Sequence, residues 1–587
     1  MFTPKQKHII IAFLLVTNLI LITATINQQN QIQQLQNTIQ NINSEHVVQQ
    51  WLIEHYGVSS IDELVQQKLK EYGVQYTGNP FTTALYPGQL QAENITGMHW
   101  YTYVSDALQN RTDVIAYPEQ PASYIIFGED TDNDGVLDII YAKNCTTGQI
   151  EYSGDNASYI IQTCINQLTN GGEIIVRAGT YIITNTILIQ KSNVYLIAEC
   201  GAKLVRSSQS SDVIKINNYA GDYDLHNIII RGFEIDGNRS TVENIKGIYV
   251  SGYEANISKT HDIIIENNKV YNCPAECISV DRSTRVTVRN NILYDGGWQP
   301  LAIFKSDQCF IENNWIVGTD GYGAINANGA RNSVFIGNII QNVSDTKGLH
   351  MDGLAGFPCY NNRIIANYFT NLYYGLTSSK FGSDSKGHLI IGNVFNGCSN
   401  LAINLGSDGC IIKGNIFVND TIWITGSSNL IYGNMWLNAS ASCITLAGSG
   451  HDNVIYGNYF RGVSRGITEK TSQDYNIIFD NIFQTTYTVY RVGANSIWKH
   501  NVGFVTENSG VATNLADGSY IAHGLAGTPT TVTLTCLNST YGGVPVIVSW
   551  DKTNTDATNI AVHIYWSNGT AITDPVIAVS WRAEYKP

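Results

Sequence analysis

The sequence predicts a mainly-β chain whose bulk is a parallel β-helix, a solenoid of stacked short strands. Three observations carry that expectation. Asparagines recur at a near-constant spacing, short β-rich runs fill the intervals between them, and the composition suits many strands joined by tight turns. The same reading divides the 587 residues into a transmembrane anchor (1–27), a helical, coiled-coil stalk (28–75) and a small β-rich linker region (76–154). The β-helix (155–505) and a C-terminal antiparallel β-sandwich (506–587) follow.

Composition bounds the function. The chain is 43% apolar and only 14% charged, unlike a disordered chain, and it is too long for one compact core. A formal net charge of -14 gives no electrostatic reason to bind nucleic acid. Eleven cysteines occur without a CxxC or a Cys/His ligand spacing, which argues against zinc. Cys273 with Cys277, and Cys398 with Cys410, are close enough to be local pairs; as buried small hydrophobes they read equally well. Eleven N-x-S/T sequons, the first at Asn94, Asn110, Asn144 and Asn156, hint at an exported, glycosylated surface.

Residues 9–26 are almost continuously apolar, Lys5 and Lys7 precede them, and the next basic residue is Lys68. A run of about 18–20 apolar residues spans a bilayer as a helix, and the positive-inside rule places the N-terminus in the cytoplasm and the bulk outside. A cleaved signal peptide is the rival reading, with no clear A-x-A site to support it. Next, Ile32, Leu35, Ile39 and Ile42 fall at 3-4-3 spacing, a short a/d seam that fits either a homo-oligomerising stalk or a solvated single helix. A helix is expected over 61–72, with Ser60 and Glu63 as a capping box and Gly73 at its end.

The linker region contains Asp130, Asp132, Asp134 and Asp138 in the run DTDNDGVLD. That spacing predicts a calcium loop. Position twelve is Tyr141 instead of the bidentate Glu, and the flanks read as strands, so an acidic hairpin turn is the alternative.

From Asp155 the pattern changes. Asp155 can cap a short amphipathic helix carrying Ile160, Ile161, Cys164, Ile165 and Leu168 on one side. Asparagines then recur at 268, 291, 314, 338, 367, 393, 415, 434, 458, 481 and 501, in steps of 19 to 29. A fixed period in this range signals a solenoid, because each unit buries its apolar face only against its neighbours. Asn tolerates left-handed backbone and offers both donor and acceptor. One in every coil is expected to build a ladder of amide hydrogen bonds, a structural role.

The first coils contain Gly171, Gly172, Ile174, Val176, Gly179, Tyr181 and Ile183 as GG-x-[IV]-x-[IV]-x-x-G-x-Y-x-[IL]. This run resembles the pectate-lyase-like superfamily of right-handed β-helix proteins, over roughly residues 155–505. The resemblance implies a right-handed solenoid and an extracellular glycan partner. Lyases of that superfamily often use an Asp/Glu calcium cluster with Arg or Lys on one sheet; no such cluster matches here residue by residue.

Between the asparagines lie CISVD, LAIFK, AINAN, GLHMD, GLTSS and AINLG. Alternation turns Ile278, Val280, Leu301, Ile303, Leu349 and Met351 inward and their neighbours outward. The outward column offers Asp281, His350 and Asp352, with Lys347 beside them, as catalytic candidates. A His beside a carboxylate suits general acid–base work, and two carboxylates across a groove suit glycoside hydrolysis. Asn326, Asn328, Phe304, Tyr322, Tyr374 and Trp423 are the candidate substrate-binding residues, the aromatics as platforms for sugar rings. After Phe504 the repeat stops and longer alternating strands begin, which predicts the β-sandwich. It reads as a carbohydrate-binding or oligomer-capping module, or as a lid on the last coil. Two functions follow: a membrane-anchored surface enzyme that cleaves or epimerises an acidic polysaccharide, or a non-catalytic adhesin or structural surface protein.

Overall fold

The computed structural model describes residues 122–585, apart from 208–210, 240–243, 319–322, 343–346, 355, 380–384, 449, 471–474, 485–494 and 539. The expected anchor, stalk and most of the linker region lie outside the described residues, as does Tyr322. Among the described residues no helix is long and apolar enough to cross a membrane.

Each coil runs through three short strands, and like strands stack into three parallel sheets. Val454–Tyr456 in sheet 1, Tyr459–Arg461 in sheet 2 and Arg465–Glu469 in sheet 3 make one coil, and Ile477–Phe479 starts the next in sheet 1. Sheets 2 and 3 stack 13 and 12 strands, so the axis is long and the core narrow. Sheet 1 also takes in Tyr124–Glu129, which pairs in parallel with Gly172–Val176 and forms an antiparallel hairpin with Ile139–Asn144.

Strand alternation fills the interior. Ile390, Ile412, Ile431, Ile455 and Ile478 point inward from sheet 1 and are buried. Opposite them, Phe369, Phe395, Phe417, Trp436, Phe460 and Phe483 stack with ring centroids 4.6–5.1 Å apart. Burying each such ring contributes about 1.5–3 kcal/mol, and offset stacking adds roughly 0.5–1.5 kcal/mol per pair.

The asparagines do form a ladder. At every step from Asn268 to Asn501, the backbone N–H of one asparagine donates to Oδ1 of the asparagine one coil on, at 2.9–3.1 Å. Each side-chain amide from Asn268 to Asn481 donates to that same oxygen. Buried amides are tolerated because their donors and acceptors are paired.

Both ends of the solenoid are closed. Helix α1 (Ala157–Gln167) lays Ile160, Ile161, Cys164 and Ile165 over the first coil. Its N-cap is Asn156, not Asp155: Asn156 Oδ1 accepts from the Tyr159 N–H at 3.0 Å, and an amide serves this position as well as a carboxylate. At the far end Glu469 takes the inward position that Leu446 holds one coil earlier. It accepts from Asn476 Nδ2 at 3.0 Å, Ser496 Oγ at 2.7 Å and Trp498 Nε1 at 2.9 Å, and so ends the apolar column.

Glu507–Leu515, Ile577–Glu584 and Thr531–Cys536 then form a three-stranded antiparallel sheet, and four more strands between 520 and 566 form a second. The two share a core that includes Leu515, Ile560, Val562, Ile564 and Val579. All eleven cysteines are free. Cys273 and Cys277 are buried and donate to the carbonyls of Tyr271 and Tyr294, so the disulfide alternative is not realised.

Candidate active site on the outer face of sheet 3

The strand Lys347–Asp352 pairs with Tyr374–Ser379 so that His350 lies beside Thr377 and Asp352 beside Ser379. Alternation turns His350 and Asp352 to the outer face, yet their side chains are only 12% and 15% exposed. His350 Nε2 lies 3.2 Å from Asp352 Oδ2. His350 Nδ1 lies 2.7 Å from Thr377 Oγ1 and 3.2 Å from Lys347 Nζ. An ammonium can only donate, so Nδ1 accepts and the ring proton sits on Nε2, aimed at Asp352. Asp352 Oδ1 accepts from the Ser379 N–H at 3.0 Å and its hydroxyl at 2.8 Å.

Burial pushes the Lys347 ammonium below its ordinary range, and Asp352 only partly opposes this. Burial works to raise the Asp352 carboxyl, but the hydrogen bonds from His350 and Ser379 outweigh it and hold the group low. The carboxylate therefore stays charged and orients the imidazole. A proton-accepting nitrogen is left beside an amine that gives up its proton readily.

The other candidates separate into two groups. Asn328 Oδ1 accepts from the Asp352 N–H at 2.9 Å and steadies that strand. Asn326 pairs with His350 in register; it is 6% exposed, and its Oδ1 has no partner among the described residues. It is an acceptor awaiting a donor beside the imidazole. Tyr374 stands edge-on to Tyr373 at 4.7 Å. Lys470 Nζ covers the Trp423 ring at 4.2 Å, so that face is not open for sugar stacking.

Asp281 lies in register with Phe304, with Asn328 and Asp352 on the following coils, three strand spacings or about 14 Å from Asp352. That exceeds the about 5–9.5 Å separating the two carboxyls of glycoside hydrolases. These two are therefore too far apart to act as a hydrolytic pair. Asp281 belongs instead to a charged cluster. It contacts Arg282 Nη1, and Arg282 Nε donates to Glu254 Oε2 at 2.9 Å. Lys305 Nζ donates to Glu254 Oε1 at 3.2 Å. Glu254 is half exposed and Arg282 and Lys305 largely covered. Sequence reading missed Arg282 and Glu254. The contacts join residues 28 and 51 positions apart, and the one local signal was a cation directly after Asp281.

Asp130, Asp132 and Asp138 each bring a carboxylate oxygen within 4.8 Å of the others. Asp134 is not one of this trio; its Oδ1 accepts from the Val136 N–H at 2.8 Å. Asp130 Oδ1 is enclosed and unpartnered.

A family model described as a right handed beta helix region matches residues 174–340 and 231–386. The solenoid is a right-handed parallel β-helix. A second model, periplasmic copper-binding protein (NosD), matches residues 358–524 of this β-helix protein. Among the described residues the one group of three or more His, Cys, Asp or Glu ligand atoms is the aspartate trio. All-carboxylate donors suit a hard cation and not copper, so the residues present do not fit a copper centre.

Among solved structures the β-helix is similar to the Azotobacter vinelandii mannuronan C-5 epimerase AlgE6 A-module, at 16% identity over 59% of this chain and 95% of that one, with a TM-score of 0.41. It is similar to a tailspike protein of E. coli bacteriophage HK620 in complex with a hexasaccharide, at 11% identity over 74% and 90%, TM-score 0.47. It is also similar to the Streptococcus pneumoniae surface protein and adhesin PfbA, at 14% identity over 59% and 94%, TM-score 0.37. These likenesses concern the fold alone. No curated protein sequence matches the chain.

Proposed function

We propose that the outer face of sheet 3 binds an acidic polysaccharide outside the cell and that Lys347, His350 and Asp352 cleave or epimerise it by proton transfer at a sugar carbon. The observation that carries this reading is the imidazole held between Asp352 on Nε2 and Thr377 and Lys347 on Nδ1. In this scheme His350 Nδ1 takes the proton from the sugar carbon next to the uronate carboxylate and Asp352 stabilises the imidazolium. In cleavage the electron pair forms a C4–C5 double bond as the C4–O bond to the next sugar breaks and Lys347 protonates the departing oxygen, whereas in epimerisation the carbon takes a proton from water on its opposite face. Arg282 and Lys305, three and two coils from Asp352, would hold the carboxylate of a sugar two or three units along the chain, the place Glu254 fills in the free protein. One strand spacing, about 4.8 Å, approximates the length of one sugar unit, so a chain lying along the axis would bring successive units past successive coils.

The N-terminal apolar run would anchor the protein, with the solenoid outside. Asp130, Asp132 and Asp138 would take a calcium ion that braces the hairpin before the first coil; an enclosed carboxylate oxygen without a partner supports that role. The C-terminal sheets would form a sandwich closing the last coil. A non-catalytic adhesin is the second reading, favoured by the Lys347–His350–Asp352 group being well covered. A panel of acidic and neutral glycans decides between them. Turnover of a uronate polymer by the wild type, lost in His350→Ala and Asp352→Ala, supports the enzyme. Equal behaviour of all three proteins removes it.

A further inference from the structure

The outer surface of sheet 1 is unusual for a face in contact with water. Strands in register from Leu389–Ile391 to Ile497–Lys499 turn Leu389, Ile411, Leu430, Val454, Ile477 and Ile497 outward in one unbroken column. Ile477 and Ile497 are 38% and 45% exposed, and the others are partly exposed. In the next column Tyr432, Tyr456 and Phe479 stack upon one another at 4.9 and 5.0 Å, within 3° and 8° of parallel. Over these six strands the two columns contain Lys413 and Lys499 but no carboxylate.

We infer that this face is the contact between two copies of the chain. Three features select that occupant. First, the rings spend their faces on each other, and Lys413 Nζ lies 5.2 Å from the centroid of Tyr432. Only ring edges are offered outward, which suits packing against side chains and not the face-on stacking a sugar ring requires. Second, two chains of net charge -14 repel, and these two columns, which contain no carboxylate, are where they can approach. Third, the size meets the lower bound of a specific contact, about 1,000 Å² in total over the two partners. Five strand spacings give about 24 Å of length. With the sheet 2 strands around the asparagine corner, the strip covers on the order of 500 Å², approaching the about 800 Å² per partner of a stable interface. A row repeating at the strand spacing is self-complementary: the residues of one copy fall between those of the other, as an isologous contact requires.

The test is sedimentation of the full chain at micromolar concentration, for the wild type and for Leu430→Lys with Val454→Lys. Both side chains point away from the core, so the fold should be retained, with circular dichroism as the check. Both proteins are also measured with Leu35→Asn and Ile39→Asn, which removes any seam in the stalk. The expected result is self-association that survives the stalk substitutions and weakens at least tenfold with the two lysines. A second readout introduces no charge: Val454→Cys treated with a short bis-maleimide should give a covalent dimer above the wild-type background. A monomeric wild type, association lost only through the stalk substitutions, or no cross-link at position 454 overturns the inference.

Discussion

His350 and Asp352 stand two residues apart on one strand and meet through Nε2 and Oδ2 at 3.2 Å, so one strand supplies both the imidazole and the group that orients it. With Nε2 committed to the carboxylate, all proton exchange is left to Nδ1, where Lys347 waits. Asp352→Asn should therefore keep the fold and lose most turnover, because an amide no longer favours the tautomer with Nδ1 free. A loss of about 100-fold or more in kcat is expected for a general base misplaced in this way. Lys347→Met should remove the alkaline limb of the pH–rate profile, which in the wild type lies below the ordinary lysine range because burial depresses that ammonium.

Glu254 occupies both Arg282 and Lys305, so an anionic ligand held there would have to displace it. Glu254→Gln should tighten binding of oligogalacturonate and leave cello-oligosaccharides unaffected. Arg282→Ala should weaken oligogalacturonate binding by about 1.5–3 kcal/mol, the value of a hydrogen bond to a charged group. Titration calorimetry of the three proteins against both sugars gives the answer, and equal affinity of all three for oligogalacturonate would dismiss the clamp.

Asn367 occupies the middle of the amide ladder. Replacing it with Ala removes the acceptor of the Asn338 backbone N–H, one of the two bonds of the Asn338 amide, and the amide that donates to the Phe335 carbonyl. Each buried orphan costs about 1–3 kcal/mol, so a total of several kcal/mol should appear in denaturant unfolding. The same change at exposed Asn185 should stay within about 0.5 kcal/mol.

Acid should loosen the solenoid at one identifiable histidine. His388 is buried against Ser385, with its Nδ1 accepting from the Asn362 N–H, and burial lowers its pKa to about 4. In the unfolded chain it titrates near about 6.5, so protonation favours unfolding between those values, by roughly 3 kcal/mol at most. That stability is fully present above about 6.5 and is lost as the pH falls through about 4. Glu276 and Asp420 act in the opposite sense, both raised by burial to about 7. Their protonated forms are favoured in the fold, and stability is lost as the pH rises through about 7. Unfolding of His388→Asn should lose the rise in stability between about 4 and about 6.5, and Asp420→Asn should lose the fall in stability between about 4 and about 7. Unchanged profiles would place the titrating groups elsewhere.

Calcium should raise the melting temperature, and EGTA should return it to the starting value. At a free concentration 100-fold above the dissociation constant the gain is about 2.7 kcal/mol. Asp130→Asn with Asp132→Asn should abolish the response in differential scanning fluorimetry while leaving the metal-free melt in place.

The scaffold was legible because its signals are local or periodic. Asn291 and Asn314 announce a coil each by recurrence, and Ile278 and Val280 turn inward by simple alternation. The charged surface was legible only in part. His350 and Asp352 share a strand and could be seen together, whereas Glu254 reaches Lys305 across 51 residues through a turn with no motif. Asp134 illustrates the reverse limit. The spacing matched a ligand, but the carboxylates that converge are those of Asp130, Asp132 and Asp138. Trp423 had the right residue type on the right face, and only packing reveals that Lys470 lies over its ring.

The ladder bonds hold at 2.9–3.1 Å although successive asparagines lie 19 to 29 residues apart. Length is therefore absorbed entirely by the excursions between sheets, and the pitch is indifferent to it. A lineage, or an engineer, can lengthen one loop beside sheet 3 without disturbing the floor beneath it. Recognition and architecture can change on separate clocks.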